Sequence, residues 1–144
     1  MDPLPPEALL ADHPPAMRAE AEWLRSVVRQ VRPDALERVR TGWRIIGYDL
    51  PIGRRSVYFA WIMIEAVHVH LGFPNGVLMA DPERRMDGRG VTKKARWITT
   101  EPGRRPRESD LAELIHEALR VATMSRSERV AVAMLREDEG DARR

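Results

Sequence analysis

Two stretches of this chain hold residue types whose spacing could do chemistry. The first is His68 and His70, an H-x-H pair within VHVHLGF. On an extended strand alternate side chains share a face, and two steps set their Cα atoms about 7 Å apart. Two imidazoles so placed can begin a metal site, which also needs a third and usually a fourth ligand, with outer groups to orient them. His13 and His116 are the other histidines; Asp49 or Glu65 could supply a carboxylate, and the sequence selects neither. The second stretch is GRGVTKKAR, Gly88 to Arg96. Glycine-loop amides beside Arg and Lys can cradle phosphate or carboxylate groups, although the same composition also makes an ordinary solvated loop. Lys93, Lys94 and Arg96 are its candidate ligand-binding residues. Its glycine spacing is neither a Walker motif nor a dinucleotide fingerprint.

Other chemistries lack a residue set. The chain has no cysteine, which excludes disulfides, thiolate metal sites and thiol nucleophiles. There is no GxSxG elbow and no HExxH, and Ser56, Ser109, Ser125 and Ser127 have no evident base partner. No particular reaction is favoured, no cofactor is assigned, and the reading is a non-catalytic binding domain.

The chain is 144 residues long, 43% hydrophobic and 32% charged, which describes one globular domain with enough core to fold unaided. A net charge of +2 is too small to argue for nucleic acid by itself. The distribution is more informative: Arg84, Arg85, Arg89, Lys93, Lys94, Arg96, Arg104, Arg105 and Arg107 run together beside only Glu83, Asp87 and Glu101. No stretch approaches the roughly 20 apolar residues of a membrane span, and MDPLPPEALLADHPP is not a signal peptide, so the expected home is the cytoplasm.

The elements that must position these residues can be outlined from periodicity. Residues 1–13 read as a loose, flexible arm. A helix should start at Pro14 or Pro15 and stop before Pro33, with Met17, Ala21, Leu24, Val28 and Val31 as its apolar stripe. Asp34 is expected to cap a short turn through Val39. Strands are expected at 43–50, with Gly47 as a bulge, at 57–64, at 66–73 and at 94–100; Asn75-Gly76 is a tight turn and 77–93 a long connection. Ser109 should cap a helix carrying Leu111, Leu114, Ile115 and Leu119, and a last helix should cover Ser127 to Arg136 before the tail frays. These elements make an α+β two-layer sandwich of about four to six antiparallel strands with N- and C-terminal helices on one face. The domain proper spans 14–124, and 125–144 is a C-terminal helix and tail.

Alternation within the third expected strand places Val67, Val69 and Leu71 towards the helices and His68 and His70 outward. Some of Tyr48, Tyr58 and Trp97, all three candidate ligand-binding residues, are expected to join the histidines on that open face. Such a face could hold a ligand or a second subunit, although one-sided antiparallel sheets carry Tyr and His on their wetted side in any case.

Leu71-Gly72-Phe73, Gly76, Asp81-Pro82-Glu83, Gly88, Gly90 and Arg96 follow one another in an order and spacing that resemble the YdhG-like family (domain of unknown function 1801). Pro33-Asp34-Ala35, Gly47-Tyr48 and Tyr58-Phe59-Ala60 extend the likeness over roughly residues 17–122. The resemblance implies a frataxin-like sandwich, and for some relatives an iron-chaperone role. Such a role needs an acidic surface, whereas the first helix here mixes Glu20 and Glu22 with Arg18, Arg25, Arg29 and Arg32. The leading expectation is therefore a small domain that binds an anionic ligand or a protein partner through the open face and the basic loop 84–96. A metal-handling protein using His68 and His70 is the alternative, and a nucleic-acid module using Arg84 to Arg107 the third.

Overall fold

Proline at the head of a helix and a stripe of aliphatic residues behind it account for the first long element. In the computed structural model, which describes residues 4–142 and side chains as far as 137, α2 covers Pro15–Val31 and buries Met17, Ala21, Leu24 and Val28. The helix stops ahead of Pro33 because the residue before a proline is driven out of the α region. It is preceded by α1, Pro6–Ala11, whose Leu9 and Leu10 are buried. The segment expected as a loose arm is thus tied to the core from Pro6 onward; residues 1–3 lie outside the described residues.

Five strands follow in a meander: β1 Leu36–Arg40, β2 Ile45–Ile52, β3 Arg55–Ile64, β4 Val69–Phe73 and β5 Arg96–Thr100. Every neighbouring pair is antiparallel and the spatial order is the chain order. A short 3₁₀ turn, Gly76–Leu78, lies between β4 and β5; α3, Glu108–Ala122, and α4, Arg126–Ala142, complete the chain. The fold is α+β, one antiparallel sheet with helices, as in a two-layer sandwich. No helix among the described residues is long and apolar enough to cross a membrane.

One row of aliphatic side chains crosses all five strands in register: Val39, Ile46, Ile62, Leu71 and Ile98. Ile46, Ile62 and Leu71 are fully buried, as are Leu111, Leu114 and Ile115 on α3. Each such side chain contributes roughly 1.5–3 kcal/mol by leaving water. The opposite face carries two other rows, Gly47–Trp61–Gly72–Trp97 and Met63–His70–Thr99. Trp61 lies across Gly72, where a Cβ would overlap the indole. Only a residue without a side chain lets the ring lie flat there.

Several local expectations are corrected. Residues 36–40, expected as part of a capped turn, form edge strand β1; its sequence LERVR has one inward apolar residue, the half-buried Val39, so alternation is hard to see. Trp43 sits in the turn between β1 and β2 and is 76% exposed. Ala66 and Val67 form a two-residue hairpin loop closed by a 2.9 Å bond from the Glu65 N–H to the His68 carbonyl. Val67 is therefore 66% exposed instead of facing the helices. The bulge is not at Gly47. Pairing jumps from Tyr48↔Ala60 to Asp49↔Tyr58, which leaves Phe59 as the extra residue on β3. Gly47 instead admits the Arg40 side chain, with which a Cβ would collide. Ser109 does not cap α3, which starts at Glu108 without a side-chain cap. Finally, α4 continues to Ala142, past the expected end at Arg136.

Candidate functional site

The loop after β4 is folded back by its own acid and by α3. Both carboxylate oxygens of Asp81 accept backbone N–H groups, from Arg85 and from Met86, each at 2.9 Å. Arg85 then reaches Asp110 at 3.0 Å and Glu113 at 2.9 Å on α3. Asp87 exchanges backbone bonds with Trp97, so this part of the loop runs beside β5. Gly76 lies so close to Arg96 that a Cβ would overlap the arginine's own Cβ. The Val77 N–H also donates to the Lys94 carbonyl at 2.9 Å. These contacts enclose a cleft of about 520 Å³ between the 3₁₀ turn, the loop, the start of β5 and α4.

The floor of the cleft is apolar, with Val77, Met79, Pro82 and Met86, and its polar wall is arginine: Arg84, Arg89, Arg96 and Arg136. Among the described residues Asp81 is the only carboxylate in the lining, and its oxygens are committed to backbone amides. Among the described residues no carboxylate pairs with Arg84, Arg89 or Arg96. Arg96 spends Nη1 on the Thr92 and Ala95 carbonyls. Burial, and then the charge of Arg89, pull its affinity for a proton below the ordinary arginine value. Arg136 reaches in from α4, with Nη2 at 3.4 Å from the Met79 carbonyl.

Four other arginines of the basic run are neutralised locally. Arg85 is held by Asp110 and Glu113, Arg104 by Glu101, Arg105 by the buried Glu20, and Arg107 by Asp110. Among the described residues the charges of the run that no carboxylate pairs with are Arg84, Arg89, Lys93, Lys94 and Arg96, in and beside the cleft.

The H-x-H pair lies on the other side of the sheet. His68 and His70 point away from α2 and α3, as alternation requires, with ring centroids 4.6 Å apart. The hairpin loop places Glu65 directly opposite His68. One carboxylate then faces both rings, at 2.7 Å from His68 Nε2 and 3.4 Å from His70 Nε2. His70 Nδ1 is 2.9 Å from Thr99 Oγ1, and its ring stands edge-on to Trp97 with centroids 6.1 Å apart. Burial, more than the neighbouring His68, holds the His70 imidazole below the ordinary histidine value of 6.5 despite Glu65.

The sequence-derived candidates therefore divide among four places. Arg96 lines the cleft. Lys93 and Lys94 are exposed and are not part of its lining. Trp97 and Tyr58 are on the outer face; the Phe59 bulge sets Tyr58 there, under the Arg40 guanidinium at 4.1 Å from its ring centre. Tyr48 is corrected: it pairs with Ala60 on the inner face, is 3% exposed, and donates its hydroxyl to Glu37 at 2.6 Å. A ligand on the outer face cannot reach it. Arg84 and Arg89 belong to the expected basic loop 84–96 but are not among its individually named ligands, and Arg136 on α4 is new to the site; the folded loop and α4 bring all three to Arg96. Glu65 stood as one of two carboxylates; the two-residue loop chooses it over Asp49, which pairs with Arg40 at 3.4 Å.

Comparison of the chain with family models, with curated proteins and with solved structures gives no match.

Proposed function

We propose that the protein binds a small anionic molecule, bearing phosphate or carboxylate groups, in the cleft lined by Arg84, Arg89, Arg96 and Arg136. The observation that carries this reading is an apolar-floored cleft of about 520 Å³ walled by Arg84, Arg89 and Arg96, with which no carboxylate pairs among the described residues, and Asp81, the one carboxylate among the described lining residues, is already committed to the backbone. That volume falls in the ordinary range of small-ligand sites, roughly 300–1,000 Å³. Arginine presents a planar fork suited to two oxygens of one phosphate or carboxylate, and crowding Arg89 near Arg96 is unfavourable until an anion arrives. The segment that resembles the YdhG-like family contributes Gly76, Asp81, Pro82 and Arg96 to this lining. The activity proposed is binding.

The test is isothermal titration with inorganic pyrophosphate and, separately, with citrate, on the wild type and on Arg96→Met and Arg89→Ala. The expected result is one site whose affinity falls roughly tenfold to a hundredfold in each variant, the usual loss for a hydrogen bond to a charged group. Pyrophosphate binding without citrate binding would assign the site to phosphates, and the converse to carboxylates. Neither anion binding, with the chain retained instead on DNA or heparin, would replace this reading with the nucleic-acid one.

A further inference from the structure

We propose a second site, independent of the cleft and on the opposite face of the sheet: Glu65, His68 and His70 hold a divalent transition-metal ion of the zinc class. Three features of the geometry support it. The first is convergence. One ligand atom from each residue lies within 4.8 Å of the other two, in a set drawn from both sides of one hairpin. A tetrahedral ion with bonds near 2.0–2.1 Å needs ligand atoms about 3.3 Å apart. Glu65 Oε1 and His70 Nε2 are 3.4 Å apart already, while His68 Nε2 is closer to the carboxylate at 2.7 Å, a proton-bridged contact that an ion would open.

The second is that the imidazoles present the right nitrogens. Both aim Nε2 at the same carboxylate, which leaves Nδ1 to outer partners. For His70 that partner is Thr99 Oγ1 at 2.9 Å, from the neighbouring strand. In the metal-bound tautomer Nδ1 carries the proton and donates it to the Thr99 hydroxyl, the arrangement that orients most ligating histidines. Thr99 is thus a positioning residue.

The third is the balance of stiffness. His70 is fixed within β4, with Thr99 on one side and Trp97 edge-on. Glu65 and His68 end the two strands at an exposed hairpin, where rotation about side-chain bonds can bring them onto an ion. Two imidazoles and one carboxylate suit zinc, nickel or cobalt over the hard ions magnesium and calcium, which prefer an all-oxygen shell. Three protein ligands also leave a coordination position for water or for a ligand atom from elsewhere.

The experiment uses the full chain, stripped with a chelator, and follows Zn²⁺ by isothermal titration and Co²⁺ by its visible absorption. One ion per chain is expected, with Co²⁺ bands of a nitrogen-and-oxygen site of low coordination number. His68→Ala and His70→Ala should each weaken binding by more than about a hundredfold, beyond the usual range for loss of an outer partner. Thr99→Val should weaken it roughly tenfold and keep the one-to-one stoichiometry. His116→Ala, on α3, should change nothing. His68 is at the exposed hairpin end, so its variant tests the site even if His70→Ala folds poorly; circular dichroism checks both. Zn²⁺ affinity unchanged in His68→Ala, or lost instead in His116→Ala, would overturn the site. So would equal binding of Mg²⁺ and Zn²⁺.

Discussion

Arg25 and Arg96 stand in two clusters that a charge count cannot tell apart. Arg25, on α2, is 5% exposed and closed on every side: Glu37 takes Nε at 3.0 Å and Nη2 at 2.7 Å, Glu22 takes Nη1 at 2.8 Å, and Glu7 approaches Nη2 at 3.2 Å. Glu37 also accepts the Tyr48 hydroxyl. The Glu37 hydrogen bond, working against burial, holds the Arg25 proton more tightly than usual, and burial with the same carboxylate raises Tyr48. Arg96 has the opposite surroundings, with burial and Arg89 both acting against its charge and carbonyls as its bonded partners. A buried arginine ringed by carboxylates fixes α1, α2 and β1 to one another. Arg84, Arg89 and Arg96 gather with no carboxylate paired to them among the described residues, and Arg96 is bonded to backbone carbonyls alone.

The largest expected effect comes from breaking the closed cluster. Arg25→Met should cost on the order of 3 kcal/mol, because it strands Glu37 and its neighbours without a cation. Urea denaturation measures this, and pyrophosphate affinity should be unchanged once the variant is folded. By contrast, Arg96→Met should leave stability within about 1 kcal/mol, since a methionine keeps the stem and removes a disfavoured charge. If the two variants lost equal stability, the distinction between closed and open clusters would fail.

A third prediction concerns acid. Burial pushes Glu37 up, but the hydrogen bonds from Arg25 and Tyr48 outweigh it and hold the carboxyl below its ordinary value of 4.5. A carboxyl lowered in the folded state adds stability above its unfolded value and loses it as pH falls through the folded one. Stability should therefore drop as pH falls below about 5, and Glu37→Gln should be less stable at neutral pH with a shallower acid slope. An unaltered slope would show that this carboxyl is not what the acid titrates. The smallest effect is expected from Lys93→Ala with Lys94→Ala. These side chains lie in solvent near the cleft without lining it, so at physiological salt anion affinity should change by less than about threefold.

The main architecture was legible because it is written in local periodicity. The stripes of α2 and α3 and the alternation Val69, His70, Leu71 place those residues on the faces they occupy. Other features depend on partners distant in the chain. Nothing near Arg85 or Arg105 announces that Asp110 or Glu20 will neutralise it, and nothing near Arg96 announces Arg136 on α4. Phe59, one extra residue in β3, reverses parity beyond it and carries Tyr58 outward. Ala66-Val67 has none of the usual turn residues, so the loop that pairs Glu65 with His68 was read as strand.

The central claim is that Arg84, Arg89 and Arg96, with which no carboxylate pairs among the described residues, serve to hold an anion, and pyrophosphate titration of the wild type beside Arg96→Met tests it most directly. The account predicts one-site binding in the wild type, weakened at least tenfold in a variant that melts at nearly the same temperature. Identical titration curves for the two proteins, or no heat from either with pyrophosphate and with citrate, would contradict it.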